Sequence, residues 1–382
     1  MIVAGEPSGD SHAAALVRAL QECVPKDAEL SLFGATGPLM RAAGVESVVQ
    51  SDELSILGLV EIGKALTRFW LAYNALKAAA IRHRPDAVIL VDWPDFNFRL
   101  ARVLHSRGVK IIYYISPQLW AWRPHRLRSM KRDVDLLLSI LPFELEWYES
   151  RGFNNVEFVG HPLAGEVRAH YGRLEFCTRQ NLDPEKPIIA LLPGSRQKEL
   201  ERILPPMLDA ASLISRQQQG AQFVLVVAPS RSLEEANRII KDRPASVDLL
   251  QQLVITRGDT REALAASDVA AIASGTATLE AALLGTPMVI VYKESPINWH
   301  TLGRLITAEH FGLVNLIAGE RLVTELMQDQ LNAQRLAAEL ISLLEPARNQ
   351  ALRKRLKEAT SILGNGGASR RAAARILEEL QG

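Results

Sequence analysis

The chain has 382 residues, room for two or three domains at ~150 residues each. Its 48% hydrophobic and 23% charged composition, with 24 Gly and 19 Pro, excludes disordered, collagen-like and disulfide-scaffold classes. With 44 Lys+Arg against 43 Asp+Glu the formal charge is +1, so no global cationic field draws the chain to nucleic acid.

The amino-terminal MIVAGEPSGDSH lacks a basic region followed by a long apolar one, so no signal peptide is expected. Short β-branched runs then alternate with helix-length segments. Ile2–Ala4, Leu30–Phe33, Ala87–Val91, Ile111–Ile115, Leu136–Ile140 and Val156–Val159 read as buried strands. Near-continuous apolar strands separated by helices predict a parallel sheet covered on both faces. The polar stretch 165–186 ends at Pro187, and the pattern restarts with Ile188–Leu192, Phe223–Val227, Leu253–Ile255, Val269–Ala273 and Met288–Tyr292. From Leu322 onward the sequence reads as helix, broken near Pro346 and at Gly364–Gly367. The expected organisation is an α/β protein of two doubly wound lobes, 1–164 and 187–345, followed by C-terminal helices over 346–382. No run of about 18 apolar residues spans a bilayer, so a soluble or peripheral protein is expected. Cys23 and Cys177 stand apart without a CxxC, and eight dispersed histidines form no HExxH, so no side-chain metal site is expected; neither lobe opens with GxGxxG, and no cofactor is expected.

In such sheets ligands bind beyond the carboxyl ends of the strands, so the loops there carry the chemistry. The first strand runs into Gly5-Glu6-Pro7-Ser8-Gly9-Asp10, where two glycines permit a tight turn and a helix start offers free N–H groups. The alternative is a plain turn capped by Ser8 or Asp10, which leaves the rim carboxylate of Glu6 least explained. Another strand ends in Val91-Asp92-Trp93-Pro94-Asp95. Asp92, directly at the strand end, is the candidate general base, and Asp95 reads as the cap of the next helix. Ser116-Pro117-Gln118-Leu119-Trp120-Ala121-Trp122-Arg123 opens a cationic run to Arg132, which reads from composition alone as a solvated helix start over packed tryptophans, the alternative being an interface or an anionic ligand. His161, where the chain leaves the first lobe, is kept as a substrate contact against a purely structural role.

In the second lobe, Gly194 and Ser195 offer backbone N–H groups and Arg196 a guanidinium fork to an oxyanion, with Glu199 at the opening of the next helix. Gly275, Thr276 and Ala277 open another helix at a strand end, and Glu280, one turn in, either accepts from ribose hydroxyls or complements the helix dipole. Two such loops in one lobe make a nucleoside diphosphate the leading ligand. A further apolar stretch, 53–62, continuing along a helical face through Leu66, Phe69, Trp70, Tyr73 and Leu76, reads as an acyl-chain or membrane-interface surface or as core.

Seven segments in register, GEPSGD at Gly5–Asp10, DWPDFN at Asp92–Asn97, SPQLWAWR at Ser116–Arg123, FVGHPL at Phe158–Leu163, LLPGSR at Leu191–Arg196, ASGTATLEAALLGTPMVIVYK at Ala273–Lys293 and NLIAGE at Asn315–Glu320, resemble the lipid-A-disaccharide synthase family. The resemblance implies the B-type glycosyltransferase fold: two Rossmann-like lobes facing a cleft, with the C-terminal helices crossing back to the first lobe. It implies an acceptor- and lipid-binding first lobe and a UDP-sugar-binding second lobe. The implied reaction joins UDP-2,3-diacylglucosamine to 2,3-diacylglucosamine 1-phosphate, giving a β-1,6 disaccharide and UDP, without a required metal. The implied location is the cytoplasmic side of the inner membrane of Gram-negative bacteria, peripherally bound. By motif, Asp92 matches the general base, Arg196 a diphosphate ligand and Glu280 the ribose ligand, while Asn315 and Glu6 match further functional positions. Trp122 and Arg123 fall in a region suited to anionic lipid or the acceptor phosphate. The helical C-terminus is where subunits would exchange in a homodimer. The competing readings are a UDP-sugar 2-epimerase and a non-catalytic nucleotide- or lipid-binding protein on the same fold.

Overall fold

The structure, a computed structural model, describes residues 1–52, 62–242, 249, 252–295 and 310–381, with side chains at 62–66 and 122 left aside. The chain forms two compact units, one of Met1–Pro162 with Leu363–Gly382 and the other of Leu163–Ile362.

The first unit holds a seven-stranded sheet of β1 (Ile2–Ala4), β2 (Phe33–Thr36), β3 (Glu46–Gln50), β4 (Ala87–Val91), β5 (Lys110–Tyr114), β6 (Leu136–Ser139) and β7 (Val156–Phe158). Their spatial order is β3-β2-β1-β4-β5-β6-β7, and the pairings are parallel, with Ile2 opposite Ile89 and Val3 opposite Leu90. Every residue of β1 and β4 is buried, as helices on both faces require. The helices include α1 (Pro7–Cys23), α2 (Pro38–Ala42), α3 (Ile62–His83) and α4 (Pro94–His105).

The second unit repeats the plan with β8 (Ile188–Leu192), β9 (Gln222–Val227), β10 (Leu253–Arg257), β11 (Val269–Ala273), β12 (Met288–Tyr292) and β13 (Glu325–Met327), in the order β10-β9-β8-β11-β12-β13. Here α5 (Gln197–Gln217) follows β8, α6 (Thr260–Ala266) follows β10 and α7 (Thr276–Leu284) follows β11. Both orders are Rossmann-like. The direction of winding reverses between β1 and β4 in one sheet and between β8 and β11 in the other, and each reversal opens a crevice at the strands' carboxyl ends.

Four details depart from expectation. The second strand begins at Phe33 rather than Leu30, because small residues are needed beside β1: a Cβ added at Gly34 would lie 1.8 Å from the Ile2 carbonyl oxygen. The edge strand β3 was not foreseen, since its outer residues are exposed and its run is short. Nor was β13, three residues paired to β12 inside a stretch that reads as helix. The polar stretch 165–186 reads as a linker, yet its helix Arg173–Gln180 buries Phe176 and Cys177 in the second unit's core.

The C-terminal helices divide between the units. Leu352 and Leu356 of α8 (Pro346–Ser361) sit in the second unit's core, whereas α9 (Ala368–Gln381) packs on α1 in the first. Arg371 of α9 donates to the Val159 carbonyl at 2.8 Å, and Arg375 pairs with Glu157 at 2.9 Å. The face of α3 beneath the sheet buries Ala72, Leu76, Ala79 and Ala80, while Trp70 and Leu71 stay 64% and 55% exposed. The acyl-chain stretch 53–62 lies, up to residue 61, outside the described residues.

Candidate active site

In the first unit the crevice falls between the loops after β1 and β4, so topology alone brings GEPSGD and DWPDFN together. They interlock. A Cβ on Gly5 would meet the Trp93 indole at 2.0 Å, so the ring occupies the space that any side chain there would fill. Trp93 in turn stacks on Phe96, with centroids 4.0 Å apart and planes 7° from parallel.

Asp92 and Trp93 both take left-handed backbone angles, φ 48° and 50°. Consecutive non-glycine residues in that region are uncommon, and such strain concentrates at functional sites. The turn is held by two donors to the Asp92 carbonyl, Tyr113 Oη at 2.6 Å and Asn97 Nδ2 at 2.7 Å. Burial, and secondarily the Glu6 carboxylate, push the Asp92 carboxyl up to about 6, against a backbone hydrogen bond from Trp93 that lowers it. Glu6 itself is exposed at the start of α1 and Ser8 stands exposed in its first turn.

The expected caps are not made. No side chain caps α1, and Asp10 instead accepts from Leu39 N at 2.9 Å and Met40 N at 3.0 Å, closing the start of α2. Asp95 does not cap α4 either. It draws Arg123 Nη1 to 2.7 Å and also binds Arg126. The side chain of Trp122 falls outside the described residues.

Beneath the SPQLWAWR loop lies a buried polar group that the sequence did not reveal. Glu144, 1% exposed, accepts from Trp120 Nε1 at 3.0 Å and Ser139 Oγ at 2.5 Å, and burial pushes its carboxyl up to about 7. A glutamate two residues after Pro142 reads as an ordinary first-turn residue, so no pattern marks it. His161 is 5% exposed, and burial beside His12 holds it down to about 4, so it is neutral at physiological pH.

In the second unit the crevice lies between the loops after β8 and β11. Arg196 is 81% exposed at its side chain, while the backbone N–H groups of Ser195 and Arg196 both point at Glu199 Oε2, at 3.0 and 3.1 Å. The Ser195 N–H expected to meet an oxyanion is therefore engaged within the loop, and Glu199 acts as its internal brace. Gly194 has φ +109°, and an added Cβ would sit 2.4 Å from Glu199 Oε2. Gly194→Ala is thus expected to lower stability by about 1–3 kcal/mol, measured by thermal unfolding.

After β11, Gly275 and Thr276 are exposed at the start of α7, Ala277 is half-buried, and Thr278 Oγ1 donates to the Gly275 carbonyl at 2.8 Å. Glu280 is not left to the helix dipole: Arg261 Nε donates to it at 2.9 Å and is itself held by the Glu166 carbonyl at 3.1 Å. A cavity of about 540 Å³ opens beside Glu280, lined also by His170, Tyr171, Arg179, Asp259 and Arg261. Asn315 is fully buried. Its amide donates to Val323 O and Glu325 Oε1 and accepts from Val323 N, which fastens the Gly319–Val323 turn.

A family model described as lipid-A-disaccharide synthetase matches residues 1–379. The lipid-A-disaccharide synthase of Geobacter metallireducens is 43% identical over 381 residues, covering 100% of this chain and 97% of that protein. Among solved structures, the UDP-GlcNAc 2-epimerase of Neisseria meningitidis, bound to UDP-GlcNAc, superposes with a TM-score of 0.64 at 11% identity, covering 99% of each chain. A glycosyltransferase of Rickettsia africae superposes with a TM-score of 0.60 at 12% identity, covering 100% of this chain and 97% of that one. The two structures share the fold, and the sequence match carries the kinship: the chain belongs to the lipid-A-disaccharide synthase family.

Proposed function

We propose that the chain is an inverting glycosyltransferase that joins UDP-2,3-diacylglucosamine to 2,3-diacylglucosamine 1-phosphate through a β-1,6 bond. The observation that carries the chemistry is Asp92, a strand-end carboxyl raised to about 6 by burial and Glu6 on a strained turn. Such a group is ionised at neutral pH yet more basic than an ordinary carboxylate, as a general base needs to be. In this reading Asp92 takes the proton from the acceptor 6-hydroxyl as its oxygen bonds to the donor's anomeric carbon. The bond from that carbon to UDP breaks on the opposite face, and Arg196 stabilises the charge gathering on the departing diphosphate.

The second unit holds the donor, with Glu280 on the ribose and the adjoining cavity receiving the nucleoside. The first unit binds the acceptor, and Glu6 serves to raise Asp92. Both substrates carry acyl chains, which places the enzyme peripherally on the membrane face where they reside. The exposed Trp70 and Leu71 support that placement, and no helix among the described residues is long and apolar enough to cross a membrane. The epimerase reading is not favoured, because epimerases share the fold at low identity while the whole-chain family match is to disaccharide synthases.

The test is UDP release from the diacylated donor in mixed micelles, with and without acceptor, alongside mass detection of product. Acceptor-dependent UDP matched by disaccharide supports the reading. UDP-GlcNAc converted to its 2-epimer, or no disaccharide at all, overturns it.

A further inference from the structure

We propose that Arg123 and Arg126, gathered by Asp95, form the subsite for the phosphate on the acceptor's anomeric carbon, an inference that rests on the reaction just described. Both arginines come from the chain after β5, and both reach the same oxygen, Asp95 Oδ1, in the first turn of α4. Two guanidinium groups on one carboxylate leave a local excess of one positive charge. An exposed ion pair contributes little to stability, which is a weak reason to collect two arginines on one partner.

The cluster also faces outward. The side chains of Asp95 and Arg123 are 65% and 48% exposed, and that of Arg126 is 22% exposed, with its guanidinium 5.9 Å from the centre of the Phe98 ring. Each fork presents a single nitrogen to Asp95, leaving its other N–H groups for a tetrahedral oxyanion. Asp95 thus acts as a spacer that fixes two forks side by side.

Position decides which anion. Asp95 stands three residues after Asp92, just across the turn from β4 into α4, and the packing is continuous between them. Phe98, beneath Arg126, lies 5.7 Å from the Tyr113 ring, and the Tyr113 hydroxyl donates to the Asp92 carbonyl. On the acceptor sugar, the carbon bearing phosphate and the carbon bearing the reactive CH₂OH are the two neighbours of the ring oxygen. An enzyme that deprotonates the hydroxyl with Asp92 must therefore meet the phosphate on the same rim, a few ångströms away.

The readout is the preference for the phosphorylated acceptor over 2,3-diacylglucosamine lacking phosphate, as a ratio of kcat/KM in neutral-detergent micelles. Wild type is expected to prefer the phosphorylated acceptor by about 100-fold or more, and R123A and R126A each to reduce that ratio about tenfold, with the donor KM unchanged. R123K and R126K, which keep charge without the fork, are expected to fall between. If the variants lose activity equally on both acceptors, the arginines are structural and the proposal is overturned. If the ratio survives while co-sedimentation with phosphatidylglycerol vesicles is lost, the arginines meet membrane headgroups and the proposal is likewise overturned. Wild type yielding no disaccharide from either acceptor would instead overturn the reaction itself, and this subsite with it.

Discussion

Asp92→Asn is expected to lower kcat about 1000-fold while making the protein more resistant to unfolding at pH 8. The first effect is the loss of a positioned base, for which a factor of about 10²–10⁴ is usual. The second follows from the same carboxyl. Its folded value of about 6 lies above the ordinary 3.8, so the folded state holds the proton more tightly than the unfolded chain does. The associated stability is fully present below about pH 4 and is lost as pH rises through about 6. Asparagine, which never ionises, escapes that loss. After discounting for partial exposure of the site, the gain at pH 8 is about 2 kcal/mol, and it vanishes at pH 4. Urea unfolding of wild type and variant at the two pH values measures it, and equal stability at both would show that Asp92 is not strained in its charged form. Wild-type kcat/KM should fall tenfold per pH unit below about 6, in step with protonation of the base.

Arg196→Ala should behave in the opposite manner, with activity lost and stability untouched. The side chain is 81% exposed, and its ion pair with Glu199, at 3.4 Å, is loose. Removing it is expected to leave Tm within about 2 °C of wild type. If it meets the leaving diphosphate, kcat/KM for the donor drops about 100- to 1000-fold, the size seen when one donor to a developing negative charge is removed. Arg196→Lys should recover part of this, since charge returns but the planar fork does not. Isothermal titration with UDP separates the effects. A variant that binds UDP as wild type does, yet turns over slowly, would place Arg196 on the transition state alone. Unchanged turnover would remove it from the site.

The sequence was informative where one residue type satisfies one local demand. Apolar runs such as Ala87–Val91 and Ile188–Leu192 announced buried parallel strands, and the winding of the first sheet then put Asp92 near Glu6. It was silent where partners lie far along the chain. Asp10 and Asp95 both looked like caps of the helices they open, because a carboxylate in a first turn ordinarily is one. Their true partners, Leu39 and Met40 in one case and Arg123 and Arg126 in the other, are visible only in three dimensions. The partners that enclose Asn315, Val323 and Glu325, lie eight and ten residues on and were likewise not legible in its motif. Glu144 left no trace because burial, not spacing, makes it unusual.

The entry of α9 into the first unit bears on how the chain acquires its structure during synthesis. Ala368, Ala372, Ala373 and Ile376 cover α1, and Arg371 closes on Val159, yet the ribosome makes these residues only after the whole of Leu163–Ile362. The nascent sheet of Met1–Pro162 therefore waits with the α1 flank uncovered, an apolar surface open to chaperones or to a neighbouring nascent chain, while the second unit is translated and can fold without interruption. A frameshift in the codons for α9 would thus strike the unit whose sheet was made long before it.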